Sequence, residues 1–284
     1  MNYQAALFDF DGTVTVKGKY APSEEMAEAL VDLARKVPMG FCTGREKPSF
    51  LEHGLSTMLE KIPAGERDQV LSNVFLLAEN GAIGYYYEPT TTDFEEFYRV
   101  PWPEAALSKE KVESELNEVL DGVGEVLKAA HQVVVVARTK FSVIDGDPID
   151  SIYEYSEKVY ERIVDYLGKK MPEYENILHV GNSGIGVVIG PADGDKDTGI
   201  RNFGKFLEEK RGMKFSEHYR EIMAIGDRPH TGGNDHYFLS GLYGSPFTVG
   251  SYNVGWTFPK PVLSENGERL LHAEGTLYLL AKHF

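Results

Sequence analysis

Three short apolar runs, each ending in polar or glycine residues, most strongly limit the folds open to this chain. They cover residues 5–10, 37–42 and 74–78, and helical stretches separate them. Short apolar runs of this kind predict buried strands, and strands that alternate with helices predict a doubly wound parallel sheet. The pattern resumes late in the chain, where a helix predicted over 197–210 precedes an apolar run at 222–225. In such an α/β sheet, ligands bind beyond the carboxyl ends of the strands.

The pattern differs in the middle of the chain, where strands follow one another as hairpins. The predicted hairpin strands are 85–87, 94–100, 132–137, 141–144, 177–180 and 185–189. Two helices are predicted among them, one with an apolar stripe over 112–127 and one that begins at a capping box at Ser151. We therefore expect an α+β cap domain at 85–190, inserted into a discontinuous core formed by 1–84 and 191–284.

Charge and cysteine content exclude several functional classes. The 284 residues carry 29 Lys and Arg against 44 Asp and Glu, a net charge of −15. This balance argues against nucleic acid or an anionic membrane as a partner, because both require a broad basic surface. A single cysteine, Cys42, allows neither an intrachain disulfide nor a cysteine-rich zinc site.

The location of the protein is predicted from its first residues and its hydropathy. The sequence begins MNYQAALFDFDG, with acidic residues where a signal peptide carries its apolar run. Nothing in the sequence approaches the roughly 20 apolar residues of a membrane span. We expect a soluble cytoplasmic protein.

The first predicted strand runs into the sequence DFDGT, which contains Asp9 and Asp11. Side chains alternate along an extended chain, so these two carboxylates are expected to project to the same side. Two carboxylates that close together repel each other, and they require either a cation between them or a shared proton. Mg²⁺ suits such a site, because it binds one or two carboxylates together with substrate phosphate. A carboxylate can also act as a nucleophile and form an aspartyl-phosphate.

Three further motifs follow, each at a predicted strand end or helix start. Thr43 offers a hydroxyl group for a phosphate oxygen, and Gly44 allows a tight turn after it. Lys196 lies at a predicted helix N-terminus, where a cation and free N–H groups can face the same anion. The last motif supplies oxygen atoms that suit a hard cation. Its residues are Asp227, Asn234 and Asp235.

Together these motifs resemble those of the haloacid dehalogenase (HAD) superfamily of phosphotransferases, across essentially the whole chain. The resemblance implies that Asp9 is the nucleophile and Asp11 the general acid and base. It implies that Thr43 and Lys196 hold the phosphate, and that Asp227 completes a Mg²⁺ site with Asp9 and the backbone carbonyl of Asp11. It also implies that Asn234 and Asp235 support the metal site.

The predicted insertion resembles the type-C2 cap of subfamily IIB, and Asn80-Gly81-Ala82 resembles the turn that precedes this cap. A Rossmann-like HAD core with a C2 cap implies a Mg²⁺-dependent phosphomonoester hydrolase. Its substrate would be a small phosphorylated metabolite, in particular a sugar phosphate, whose leaving group is selected by the cap. Further candidates for substrate contact are Arg45, Asn80, Arg138 and Lys140.

Two other functions stay open from the sequence. The long final motif, 226–235, resembles that of the eukaryotic-type phosphomannomutases and favours a phosphohexomutase. The sequence Thr43-Gly44-Arg45 is typical of the phosphatases instead, and the cap offers only Arg138 and Lys140 where a mutase would need paired arginines for a second phosphate. A non-catalytic module that binds a phosphometabolite would require the loss of a catalytic residue, and none is lost.

Overall fold

The structure is a computed structural model that describes residues 3–16, 18–127, 129–137, 149–252 and 257–284, with the backbone alone at 149–151. The strands are β1 (Ala5–Phe8), β2 (Met39–Cys42), β3 (Val74–Ala78), β4 (Ile83–Glu88), β5 (Asp93–Arg99), β6 (Gly124–Leu127), β7 (Val133–Ala137), β8 (Leu178–Asn182), β9 (Gly186–Pro191), β10 (Ile222–Gly226), β11 (Ser245–Thr248) and β12 (Lys260–Pro261). The α-helices are α1 (Glu24–Ala34), α2 (Lys47–Phe50), α3 (Ser56–Lys61), α4 (Arg67–Leu71), α5 (Lys109–Val119), α6 (Ile149–Lys170), α7 (Lys196–Arg211) and α8 (His272–His283).

The larger sheet has the predicted doubly wound topology. Across the described residues it contains eight strands in the order β12-β11-β10-β1-β2-β3-β4-β5. The strands from β12 to β3 run parallel, and β4 and β5 are antiparallel additions. The chain moves from β1 towards β5 and later returns to the other side of β1 at β10. The order therefore reverses between β1 and β10, and a crevice opens at the carboxyl ends of strands at such a point.

Helices cover both faces of this sheet, which explains why β1, β2, β3 and β10 are buried throughout rather than at alternate residues. Phe8 of β1 packs in the cluster that includes Met26 and Leu30 of α1. The preceding residue, Leu7, packs in the opposite cluster with Phe203 of α7. Helix α1 begins after Ser23, whose side chain accepts a hydrogen bond from Met26 N at 3.2 Å. The α/β architecture predicted from the sequence is confirmed.

A second sheet, β6-β7-β9-β8, is antiparallel among the described residues and packs against α5 and α6. Val112 and Leu116 of α5 and Val159 and Ile163 of α6 are fully buried against this sheet. No helix in the described part of the chain combines the length and apolar character that a membrane crossing requires.

The long helix predicted over 112–127 ends much earlier. Helix α5 stops at Val119, and the chain turns through Gly122, which has a φ of 73°. Glycine adopts this left-handed conformation without steric cost, so the turn interrupts the apolar stripe. The last four residues of the predicted helix form β6 and pair with β7. Within β6, Val126 packs against the core of the second sheet while Leu127 is exposed, so pairing with β7 decided the conformation of this segment.

The hairpin of β4 and β5 belongs to the larger sheet, not to the cap. Strand β4 pairs with β3, for example Tyr86 with Phe75, and β5 pairs with β4. The boundary predicted at residue 85 therefore cuts through β4, and the change of sheet falls after Arg99. The strand predicted at 141–144, together with Arg138 and Lys140, lies outside the described residues.

Candidate active site

The turn after β1 directs Asp9 and Asp11 to different partners. Asp9 is buried, and its N–H extends the strand by donating to Ile225 O of β10 at 2.8 Å. The chain then turns at Gly12, which has a φ of 81°, and Asp11 becomes partly exposed. Helix α8 contacts this turn, because the Thr276 hydroxyl donates to Thr13 O at 2.8 Å.

Lys196 joins the nucleophile candidate to the last motif. Its Nζ donates to Asp9 Oδ1 at 2.6 Å and to Asp235 Oδ1 at 2.7 Å, and the side chain is completely buried. It is the first residue of α7, and Asp195 caps that helix by accepting from Lys196 N at 2.6 Å. Burial lowers the pKa of Lys196, but Asp235 and Asp9 outweigh burial and raise that pKa above its ordinary value. Lys196 is therefore a permanent cation at the centre of the site.

Asp235 organises the loop after β10. Its Oδ2 accepts hydrogen bonds from Asp227 N and Arg228 N, both at 3.0 Å, while its Oδ1 accepts from Lys196. A Cβ at Gly226 would lie 2.7 Å from this Oδ2, so glycine is required for the close approach. Both oxygens of Asp235 thus have partners, whereas Asp227 Oδ1 is buried without a hydrogen-bond partner among the described residues.

Three buried carboxylates meet at this point. Ligand oxygens of Asp9, Asp227 and Asp235 lie within 4.8 Å of one another. Burial and the charge of Asp235 raise the pKa of Asp9 to about 7, although Lys196 opposes the shift. Burial, Asp235 and Asp9 raise the pKa of Asp227 well above its ordinary value. One lysine does not neutralise three carboxylates, so a further cation would stabilise their ionised forms.

The donor set of this cluster fits Mg²⁺. All its side-chain donors are oxygens, and the unpartnered Asp227 Oδ1 offers a free acceptor in a buried position. A Cβ at Gly12 would lie 2.7 Å from Asp227 Oδ2, so the turn after Asp11 closely approaches the cluster. Asp9 and Asp227 are the side chains available to a cation, since Asp235 is already occupied on both oxygens.

The turn after β2 holds the predicted phosphate ligands. Thr43 is buried, and its Oγ1 accepts a hydrogen bond from Arg45 N at 3.2 Å. Asn80, which has a φ of 56°, donates its N–H to Thr43 O at 2.8 Å. The side-chain amide of Asn80 is buried beside Gly44, and neither of its polar atoms has a hydrogen-bond partner within the described residues.

Arg45 forms an ion pair with Asp11. Its Nε donates to Asp11 Oδ2 at 3.0 Å and a terminal nitrogen donates to Asp11 Oδ1 at 2.5 Å, a bidentate pair. The guanidinium also lies over the ring of Phe10, 4.8 Å from its centroid. Arg45 was predicted as a substrate contact, and that role stays a prediction. In the structure the residue fixes the carboxylate expected to transfer protons.

The cap rests on the loop that carries the last motif. Asn182 N donates to Gly232 O at 2.8 Å, and Asn234 N donates to Asn182 O at 3.1 Å. Arg228 donates from Nε to Asn182 O at 2.8 Å and pairs with Glu157 of α6 at 3.0 Å. The smaller sheet thus contacts the loop that follows β10, at the edge of the larger sheet where the predicted site residues lie.

The structure brings most of the predicted residues to one edge of the sheet. Those residues are Asp9, Asp11, Thr43, Gly44, Arg45, Asn80, Lys196, Asp227, Asn234 and Asp235. Sequence reasoning missed the cap contacts of Arg228, although it lies within the motif 226–235, and those of Glu79, which precedes Asn80-Gly81-Ala82. Arg138 and Lys140 belong to the part of the chain that is not described.

Glu79 is a buried carboxylate at the cap contact, and it predicts a pH effect on stability. Its Oε2 accepts from His131 N at 3.0 Å, while burial, aided by Glu46, raises its pKa to about 7. The folded state therefore holds this proton more tightly than the unfolded chain. Through this carboxyl group, the wild-type protein should lose about 1–3 kcal/mol of unfolding free energy between pH 4.5 and about 7.

Urea unfolding of Glu79→Gln across this pH range tests the effect. Glutamine keeps an acceptor for His131 N without the charge. The unfolding free energy of the variant should therefore increase relative to that of wild type as the pH rises. The exposed Glu60→Gln should follow wild type throughout. If Glu79→Gln shows the wild-type pH profile, the carboxyl group is not the source of the pH dependence.

Comparison with known proteins supports the fold. No protein-family model matches the chain, and no curated protein sequence matches it. A haloacid dehalogenase-like hydrolase from Bacteroides thetaiotaomicron is similar in structure, with a TM-score of 0.59, 15% identity and complete coverage of both chains. The C. albicans trehalose-6-phosphate phosphatase C-terminal domain gives a TM-score of 0.62 at 15% identity, covering 99% of this chain and 92% of that one.

A third similar structure is Plasmodium falciparum IMP-nucleotidase, with a TM-score of 0.62 and 15% identity. It matches 88% of this chain, which spans only 65% of the nucleotidase. At these identities the similarities establish the fold. The chain has the Rossmann-like fold of haloacid dehalogenase-like hydrolases.

Proposed function

We propose that the protein is a Mg²⁺-dependent phosphomonoester hydrolase that acts on a small phosphorylated metabolite through an aspartyl-phosphate. The observation that carries the proposal is the buried Asp9–Lys196–Asp235 network at the strand-order reversal, next to the unpartnered oxygen of Asp227. The names of the similar structures, a nucleotidase, a phosphatase and a hydrolase, agree with this class of reaction.

Asp9 is the nucleophile in this proposal. Its Oδ1 is held by Lys196, which leaves Oδ2 to attack phosphorus. Oδ2 accepts a long hydrogen bond, 3.4 Å, from the Thr13 hydroxyl. Thr43 and Lys196 bind the equatorial oxygens of the phosphoryl group, over which charge spreads in the transition state. Transfer breaks the bond between phosphorus and the ester oxygen and leaves the phosphoryl group on Asp9.

Asp11 moves the protons. It gives a proton to the leaving alkoxide and later takes one from the water that hydrolyses the aspartyl-phosphate. The bidentate contact of Arg45 fixes the direction of the Asp11 carboxyl, which is partly exposed and can exchange protons with solvent. The cap limits the entry of bulk water, which would otherwise compete at the phosphoenzyme.

A magnesium ion would be held by Asp9, Asp227 and the backbone carbonyl of Asp11. When bound, it supplies the positive charge that lets an anionic carboxylate approach an anionic phosphate. Without that charge, the repulsion between the two anions is about 4 kcal/mol at 4 Å and an effective dielectric constant of about 20. Lys196 alone cannot supply this charge, because Asp9 and Asp235 already share it.

The leaving group is proposed to be a sugar, and the mutase is the second candidate. The long loop 226–235 favours a mutase, because it resembles the final motif of the eukaryotic-type phosphomannomutases. The turn Thr43-Gly44-Arg45 favours the phosphatase, because Arg45 is committed to Asp11 and is not available for a second phosphate. Val188 is the cap side chain next to the Cβ position of Gly44, and it offers no charge for a second phosphate.

A panel of phosphate esters with and without Mg²⁺ tests the proposal. The panel should include hexose 1- and 6-phosphates, trehalose 6-phosphate and nucleoside monophosphates, each with and without glucose 1,6-bisphosphate. We expect Mg²⁺-dependent release of inorganic phosphate without any need for the bisphosphate. Conversion of mannose 1-phosphate to the 6-phosphate with little free phosphate would assign the mutase instead.

Substituting Asp11 should affect substrates according to their leaving groups. Asp11→Asn keeps the backbone carbonyl and the shape of the side chain but cannot give a proton. Phosphorylation of Asp9 by an alkyl phosphate should slow about 10²- to 10⁴-fold, whereas p-nitrophenyl phosphate, whose leaving group needs no proton, should lose much less.

Burst-phase kinetics with both substrates measures this difference. Asp93→Asn, which removes an exposed carboxylate paired with Lys47, is the matched control and should behave as wild type. Equal losses for the alkyl and the aryl ester would argue against Asp11 as the acid.

A further inference from the structure

A short segment of the cap contacts the core loops that follow β2 and β3. We call Thr43-Gly44-Arg45, in the first of these loops, the phosphate turn. We call residues 130–132 the docking segment. Ala130 N donates to Glu46 Oε1 at 2.8 Å, and His131 N donates to Glu79 Oε2 at 3.0 Å. These contacts bring the start of β7 against the loops that follow β2 and β3. The cap is therefore attached to the core within a few residues of Thr43.

Gln132 makes the closest contact of the docking segment with the turn. Its side chain is completely buried, and Nε2 donates to Gly44 O at 2.8 Å. Its Oε1 has no hydrogen-bond partner among the described residues. Among the described residues, this buried amide forms a hydrogen bond only with the Gly44 carbonyl.

Three consecutive carbonyls of the phosphate turn are held in this way. Thr43 O accepts from Asn80 N at 2.8 Å, and Arg45 O accepts from Glu79 N at 3.1 Å. Both donors belong to the core. The carbonyl between them, Gly44 O, accepts from Gln132 of the cap. The middle peptide of the turn is thus the one whose orientation depends on the cap.

The orientation of this peptide is transmitted to Thr43. The Gly44 carbonyl and the Arg45 N–H belong to one planar peptide unit, so fixing one fixes the other. Arg45 N donates to Thr43 Oγ1 at 3.2 Å. This donor directs the hydroxyl hydrogen of Thr43 away from the turn, where it can reach a phosphate oxygen.

We propose that Gln132 is a positioning residue that completes the phosphate turn only when the cap is docked. This inference rests on the proposed function, since it takes Thr43 as a phosphate ligand. Docking of the cap orients the Gly44–Arg45 peptide, and through it the Thr43 hydroxyl. Phosphoryl transfer is then coupled to closure, independently of which leaving group the cap selects.

Gln132→Glu and Gln132→Ala test the proposal. Glutamate has the same shape but no donor when ionised, and alanine removes the side chain. We expect kcat/KM to fall about 10- to 100-fold in both variants, the scale of leaving a buried polar group unpaired. The loss should be equal for p-nitrophenyl phosphate and for the best ester of the panel. Inhibition by orthovanadate should weaken by a similar factor.

Two control variants separate positioning from general effects. Gln69→Glu makes the same chemical change on the exposed face of α4, and Glu157→Gln weakens the cap contact with Arg228 away from Gly44. Both should keep wild-type kinetics with p-nitrophenyl phosphate. A loss in Gln132→Glu confined to the larger ester would make the residue a leaving-group contact and overturn the proposal. An equal loss in Glu157→Gln would overturn it as well.

Hydrogen exchange of peptides covering residues 43–46 needs no turnover. We expect faster exchange in Gln132→Glu than in wild type, while exchange in Gln69→Glu stays unchanged. If wild type hydrolyses no ester but the exchange differs as expected, the proposed function fails and the docking contact stands. Unchanged exchange and unchanged kinetics in an active enzyme would overturn the inference about Gln132 alone.

Discussion

Asp9→Asn should abolish turnover and leave the protein folded. An amide is a poor nucleophile, so activity should fall roughly 10³-fold or more, the scale seen when an enzyme loses its nucleophile. Burial and Asp235 raise the pKa of Asp9 to about 7, so its ionised form is unfavourable in the folded state. The neutral amide removes this cost, and without added metal the variant should be at least as stable as wild type at pH 8.

Steady-state kinetics and thermal unfolding at pH 8 together measure this prediction. Asp32→Asn, an exposed substitution on α1, is the control for the chemical change. Residual activity of Asp9→Asn within tenfold of wild type would contradict the assignment of the nucleophile. A large loss of stability would show that the ionised carboxylate is needed for the fold.

Lys196→Met should cost both activity and stability. Methionine fills similar volume but leaves Asp9 and Asp235 as buried carboxylates without their cation. Removing one partner of a buried ion pair costs about 3–5 kcal/mol. The cost should be smaller at pH 5 than at pH 8, because Asp9, whose pKa burial and Asp235 raise to about 7, is then protonated.

A double substitution separates the two effects of Lys196. Lys196→Met with Asp235→Asn removes one of the unpaired charges and should recover part of the lost stability in urea unfolding. Activity should stay as low as in Lys196→Met, because no lysine holds Asp9 and the phosphate. Recovery of turnover in the double variant would contradict a direct role of Lys196, and no recovery of stability would contradict the ion-pair explanation.

The parts of the fold that the sequence predicted are those with local causes. Strand β3 occupies its predicted residues, 74–78, because a short apolar run between polar turns has one favourable arrangement. Helix α7 begins at Lys196 after the cap Asp195, close to its predicted start. In both cases the residues that determine the strand or the helix start lie within a few positions of it.

The failures arose where pairing between strands decided the outcome. The residues of β6 continue the apolar stripe of α5, but pairing with β7 places them in a strand. The hairpin of β4 and β5 contains strand-forming residues, but local sequence does not tell which sheet it joins. Which strand a segment pairs with depends on the folded arrangement, and the pattern within the segment does not record it.

The candidate site shows the same division. Motifs at strand ends marked Asp9, Thr43 and Asp227, because a parallel sheet brings such ends to one edge. The hydrogen bonds of Asp235 to Lys196 and to the loop after β10 need the folded geometry. Gln132 lies in no motif, and only its contact with Gly44 distinguishes it from other polar cap residues.

Rapid-quench analysis of a single turnover with a phosphate-labelled ester and Mg²⁺ tests the central claim most directly. The account predicts that label appears first on the peptide containing Asp9 and then passes to inorganic phosphate, and that Asp9→Asn acquires none. Inorganic phosphate that forms without any labelled protein would contradict an aspartyl-phosphate. Label that leaves Asp9 to form an isomeric ester would contradict hydrolysis.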